Sequence, residues 1–179
     1  MVKIPTRVLT EAIAMVALAG VLEFISGLFP FLQMPQGGRL TFAAMVPIFF
    51  VAFRRGARVG ILAGIAFGLV VLVEEPFVYN PIQFLLDYPL AFGALGLAGF
   101  FRELRWPSMP LVGVGVGIGC RFVSHFISGL VFFASYAPAG MDPATYSAIY
   151  NAWYLVPELI ISEIVMLILV RRGILKLYL

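Results

Sequence analysis

The sequence predicts an all-α integral membrane protein of six transmembrane helices with both termini on the cytoplasmic side. Three observations carry this. The 179 residues are 62% hydrophobic and only 12% charged, whereas a soluble domain needs roughly 25% charged residues to face water. The mean hydropathy is +1.04, and at about 20 residues per span the length allows about six or seven helices. Ten of the twelve basic residues gather at alternate ends of the apolar runs, on one side.

Taken in order, the first run covers 8–28 and follows Lys3 and Arg7. It is longer than a typical signal-peptide core and lacks a clear small-x-small cleavage site, so it reads as a retained helix. Runs 40–53 and 59–73 are short for full spans and meet at the tight turn Arg54-Arg55-Gly56-Ala57-Arg58. Gly60, Gly64 and Gly68 place G-x-x-x-G steps on the third helix, a spacing that lets helix backbones approach closely in lipid. The fourth helix covers 81–101. The fifth, 109–136, is long enough to tilt and carries Gly113, Gly115, Gly117 and Gly119. The sixth covers 145–170.

Lys3 and Arg7 precede the first helix, Arg54, Arg55 and Arg58 join the second to the third, and Arg102 and Arg105 join the fourth to the fifth. Arg171, Arg172 and Lys176 follow the sixth, so ten of the twelve Lys and Arg residues fall on one side. The positive-inside rule makes that side cytoplasmic. The opposite loops hold Arg39 with Glu74, Glu75 and Asp142, and the two glutamates read as a solvated outer loop.

These features also exclude functions. The net charge of +3 is scattered over helix ends, which points to topology and away from nucleic acid. No G-x-x-x-x-G-K-[ST] phosphate loop occurs, so any ATP-driven step belongs to other chains. Cys120 is the one cysteine, so no disulfide forms within the chain. A single six-helix domain over 1–179 is expected, with no clear internal repeat.

Ionisable groups inside a span are costly and therefore functional candidates. Here they are Glu23, Asp87, Arg121, His125, Glu158 and Glu163, with Asn151 as a neutral companion. Asp87 lies about six residues, roughly 9 Å, below the outer end of the fourth helix. Asn151 sits at similar depth on the sixth, and His125 roughly 16 Å deep on the fifth. His125, Gly129 and Phe133 share a helix face at i, i+4 and i+8, Gly129 leaving space between ring and imidazole. Tyr146, Tyr150 and Tyr154 form a stripe ending at Glu158, and Tyr88 adjoins Asp87. A carboxylate among aromatic faces suits a small organic cation with a flat ring.

Blander readings stand beside this. Tyr136 fits an interfacial belt, and His125 serves equally well as a helix-to-helix hydrogen-bonding partner. Arg121 reads as structural, paired with Glu158 or Glu23 to offset its burial.

At these residues the chain resembles the thiamine-specific S-components of energy-coupling-factor (ECF) vitamin transporters. The segments that carry the likeness are Met34-Pro35-Gln36-Gly37-Gly38, Leu86-Asp87-Tyr88-Pro89-Leu90-Ala91-Phe92, Ser124 to Gly129, Phe132 to Ala137, and Tyr146 to Asn151. The resemblance implies the six-helix S-component fold in a bacterial cell membrane, with thiamine held near the outer face as transported ligand and no cofactor. Asp87 and Tyr88 would receive the aminopyrimidine; His125, Tyr146 and Asn151 would add polar contacts, and Phe133 would stack. The first outer loop would close over the ligand, and Tyr79 is a further candidate. The implied partners are a transmembrane coupling subunit, two ATPase subunits and membrane lipid.

The chain departs from the family pattern in three ways. Some members have Trp where Phe133 stands and Trp in the first outer loop, and Trp offers the stronger cation face. Some have Glu in place of Asp87. The alanines of the first helix, Ala12, Ala14, Ala17 and Ala19, never pair at i+4, so the family's A-x-x-x-A docking patch is imperfect. Three rivals remain at this point: an S-component for a precursor or another vitamin, a membrane enzyme using Asp87 and His125 as acid and base, and a small channel or scaffolding protein.

Overall fold

Apolar periodicity becomes six helical segments in the computed structural model, which describes residues 4–176; Lys3 and the side chain of Lys176 lie outside them. These are α1 (Thr6–Gly27), α2 (Val46–Arg55), α3 (Ala57–Glu74), α4 (Pro81–Phe101), α5 (Ser108–Phe132) and α6 (Pro143–Arg171). Five of them, α2 excepted, are long and apolar enough to cross a membrane.

Helix α2 is shorter than the run 40–53 suggested. Pro47 sits in the first turn of α2, where its missing N–H costs nothing and its ring meets no carbonyl four residues back. Residues 41–45 instead form a turn with Ala43 at φ 60°. Thr41 anchors that turn by donating its backbone N–H and its hydroxyl to Glu158 on α6. Helix α5 likewise stops short of 136: Phe133 leaves the helix at φ −118°, ψ 13°.

The α2–α3 turn lies beside the start of α1, where Arg54 Nε is 2.9 Å from Glu11 Oε1 and Arg55 Nε donates to Glu11 Oε2 at 2.7 Å. The Arg102 guanidinium lies against Gly56, and Arg171 stacks 5.8 Å from the Trp106 ring centroid. The basic loops thus converge on one end of the bundle. At the other end gather the loop between α1 and α2, the 75–80 connection, and the segment after α5.

The glycines of α3 do what their spacing predicted. A Cβ on Gly64 or Gly68 would press on the carbonyls of Phe92 and Tyr88, and one on Gly60 would lie 3.0 Å from the Gly96 Cα. Helices α3 and α4 therefore touch backbone to backbone. Of the four glycines between 113 and 119 on α5, Gly113 and Gly117 face Phe53 and Phe49, whereas Gly119 faces open space. The core between the helices is built from Phe49, Phe67, Leu95, Leu155 and Met166, each fully or nearly buried.

Helix α4 is irregular. Residues Leu86–Leu90 form a π turn and Leu95–Phe101 a 3-10 segment. Pro89 lies inside the π turn; it cannot supply the usual α bond, and the ladder widens, Ala91 N–H reaching Leu86 O. Such bulges recur at functional sites. Ser124 on α5 donates to the same Leu86 carbonyl at 2.6 Å, tying the bulge to its neighbour.

Candidate binding site

The π turn points Asp87 toward α5 and α6 at the end away from the basic loops. Its carboxylate accepts three hydrogen bonds: Oδ2 from Gln83 Nε2 at 2.6 Å and Ser128 Oγ at 2.9 Å, and Oδ1 from His125 Nδ1 at 3.1 Å. These donors come from a neighbouring turn of α4 and from α5. One turn below, Arg121 Nε donates to His125 Nε2 at 3.2 Å.

Asp87 and His125 line a cavity of about 450 Å³, within the range of small-molecule sites. Tyr88, Gly129, Phe133, Tyr146 and Asn151 also line it. Of the eight residues singled out in the sequence, Tyr79 alone stays outside: it is 73% exposed and its ring rests on Phe133. Tyr88 contributes its ring, because its hydroxyl is taken by the Phe77 N–H and the Glu75 carbonyl, each at 3.2 Å. Asn151 is buried and already bonded, giving its amide to the Ser147 carbonyl at 2.9 Å and accepting from Tyr154 Oη at 2.8 Å. Gly129 lets α5 and α6 meet, since a Cβ there would collide with Ser147. Phe133 stacks with Phe77 at 5.9 Å and 26°, making an aromatic wall.

The loop between α1 and α2 folds over the opening, with Gln36, Gly37 and Gly38 in the cavity wall. Met34 N–H bonds the Gly38 carbonyl at 2.7 Å, and Gln33 pairs with Arg39 in a short antiparallel bridge. Tyr150 holds this turn to α6 by accepting from Gly38 N–H at 2.8 Å and donating to the Pro35 carbonyl.

Several pairings differ from expectation. Arg39 is buried, not an isolated loop cation: Nη2 lies 2.7 Å from Glu23 Oε1, and Nη1 pairs with Glu75. Glu23 is thereby taken, and Glu158 serves Thr41, so Arg121 pairs with neither. It lies over the Phe92 ring at 4.0 Å and contacts Met45 Sδ at 2.8 Å. Glu74 and Glu75 line the cavity, and Glu74 Oε2 is buried with no hydrogen-bond partner among the described residues. The signals for Gln83, Ser128, Phe77, Glu74 and Glu75 were faint, because three of them sit in or beside a loop and none breaks an apolar pattern conspicuously.

The cavity walls carry four carboxylates (Glu23, Glu74, Glu75, Asp87) and two guanidinium groups (Arg39, Arg121), a net of −2 with His125 neutral. Aromatic faces and excess negative charge in a partly closed site select a flat organic cation. No group of three or more metal-ligating side chains occurs among the described residues.

Comparison with known proteins agrees. The profile of the family described as "Thiamine transporter protein (Thia_YuaJ)" matches residues 9–177. The chain is 39% identical over 173 residues to the thiamine transporter ThiT of Bacillus subtilis, covering 90% of this chain and 88% of that protein. It is 31% identical over 122 residues to a ThiT of Lacticaseibacillus paracasei, covering 60% and 61% of the two chains. A solved structure of ThiT from Listeria monocytogenes superposes with a TM-score of 0.81 at 23% identity, over 93% of this chain and 94% of that one. The last comparison shows a shared fold.

Proposed function

Because this chain belongs to the thiamine transporter family, a family of transporters and not of enzymes, we propose that it is the thiamine-binding S-component of an ECF-type importer in a bacterial plasma membrane. One observation carries the reading: Asp87 lines a net-negative cavity whose walls include the rings of Phe77, Phe133 and Tyr146. Thiamine is a flat aminopyrimidine joined to a permanently cationic thiazolium, and both halves suit such walls.

In this reading the aminopyrimidine lies toward Asp87, His125 and Asn151. The cationic ring stacks on Phe133 and senses the carboxylates near the opening, Glu74 above all. The site binds with high affinity because the turn held by Tyr150 excludes water, which strengthens each charge interaction inside. The chain is one six-helix unit with its basic end and both termini in the cytoplasm, so the cavity opens outward. Having no ATPase of its own, it works with a membrane coupling subunit and two ATPase subunits that drive release inside.

The test is titration calorimetry of purified protein with thiamine, the free aminopyrimidine and thiamine monophosphate. One-to-one binding strongest for thiamine is expected. Equal affinity for the free pyrimidine would reassign the ligand to a precursor, and no heat with any of the three would remove thiamine from the reading. Copurification of the coupling and ATPase subunits with the tagged chain tests the assembly separately.

A further inference from the structure

Arg121 is a half-buried guanidinium within a membrane-spanning helix, with no carboxylate within ion-pair distance among the described residues. Such a group is expensive in a membrane protein and invites a reason. Its three contacts are the Phe92 face, the Met45 sulfur and, through Nε, the Nε2 of His125. Arginine has donors and no acceptor, and it does not lose its proton. The bond at 3.2 Å therefore requires His125 Nε2 to be the acceptor. The single imidazole proton must then sit on Nδ1, which is the atom facing Asp87 Oδ1 at 3.1 Å. An imidazolium, which carries N–H on both nitrogens, would set two donors against each other at Nε2.

We infer that Arg121 is a positioning residue for the binding site: it fixes His125 as the neutral Nδ1–H tautomer, so that Asp87 is oriented by the imidazole but keeps its full negative charge for a cationic ligand. The ligand part of this inference rests on the thiamine-binding reading; the tautomer does not. The titratable groups around the ring are Asp87 on α4, Arg121 on its own helix and Tyr154 on α6, whose ring meets the imidazole edge-on at 6.2 Å. Asp87 bonds the other ring nitrogen and Tyr154 meets the ring only by its edge, so neither displaces Arg121 as the donor to Nε2. A protonated His125 would form an ion pair with Asp87 and cancel the charge that recruits the cation. In this chain the neighbouring arginine prevents that.

The chain has one histidine, so nitrogen NMR of protein labelled at histidine gives an unambiguous signal without ligand. The wild type should show a protonated Nδ1 and a bare Nε2, unchanged between about pH 6 and pH 8, the range where a free imidazole titrates. Arg121→Gln should release the ring, moving the proton to Nε2 or producing imidazolium at the acid end. In that variant thiamine affinity should fall roughly tenfold from pH 8 to pH 6, following the imidazole protonation, while the wild type stays flat. The slope should vanish in Arg121→Gln/His125→Gln, and Arg121→Lys, which keeps donor and charge, should restore wild-type signals. A wild-type histidine protonated on Nε2, or titrating normally, overturns the inference even if no variant folds. Unchanged histidine signals in folded Arg121→Gln do the same. A fixed tautomer in protein that binds no thiamine would leave the tautomer standing and remove only the substrate.

Discussion

The hydroxyl of Tyr150 touches the backbone of residue 35 and of residue 38 at once, donating to the Pro35 carbonyl and accepting from the Gly38 N–H at 2.8 Å. One side chain of α6 thus grips both ends of the turn that covers the cavity. Gly38 is necessary to this contact, because a Cβ there would lie 2.9 Å from the phenol Cζ.

Tyr150→Phe removes both bonds and leaves the ring. Each net bond is worth about 1 kcal/mol, so the covered state should weaken and thiamine should dissociate roughly 30-fold faster in a stopped-flow chase. Tyr146→Phe should change much less, since its bond to Gln36 is long at 3.5 Å. Equal dissociation rates in wild type and Tyr150→Phe would mean that the turn does not control exit.

Asp87→Asn keeps shape but removes the charge and makes one oxygen a donor that faces Gln83, Ser128 or His125. Losing a charged hydrogen-bonding partner costs about 2–3 kcal/mol, or roughly 30- to 150-fold in Kd. Calorimetry should show that loss with the helical circular dichroism retained.

Glu74 presents the opposite balance. Its buried oxygen has no hydrogen-bond partner among the described residues, a state that costs stability, yet its charge adds to the field that draws a cation. Glu74→Gln should raise the melting temperature by a few degrees and weaken thiamine binding about threefold, with a smaller salt dependence. A variant that binds as tightly as wild type would remove Glu74 from the recognition of charge.

Phe133→Trp enlarges the face available to the cationic ring. Indole is the strongest cation-binding aromatic, and Phe133 lines the cavity. Affinity should improve about three- to tenfold by calorimetry, and the new indole should be quenched on binding. Tyr79→Ala, at an exposed position outside the lining, should leave affinity unchanged.

Gly64→Ala sets a methyl against the Phe92 carbonyl, which cannot move without parting α3 from α4. Overpacking of this kind costs about 1–3 kcal/mol. The melting temperature should fall, and affinity with it, because α4 carries Asp87 on the displaced helix.

Much of the site was legible in the chain. Asp87, His125 and Asn151 were conspicuous because a polar group inside an apolar run is costly wherever it points, and that cost can be read from a one-dimensional pattern. Gly60, Gly64 and Gly68 were legible for the same reason, since their spacing on one helix face does not depend on the partner. The loop groups escaped. Glu74 and Glu75 read as solvated because polar residues between apolar runs are ordinary, and only the folded chain brings Arg39 and Glu23 up beside them.

Composition, run length and charge placement by themselves determined that this is a six-helix membrane protein with most of its basic residues at one end and Asp87, His125 and Asn151 in the opposite half. Those are properties of how each segment partitions between water and lipid, which local sequence controls. Which carboxylate meets which guanidinium was decided only by tertiary structure. The Pro89 bulge sets the direction of Asp87, the α3–α4 glycine contact sets its distance, and the fold of the α1–α2 loop carries Arg39 to Glu23. Arg121 was thereby left to His125. Rotation and approach of helices arise from contacts between segments far apart in the chain, and no local pattern encodes them.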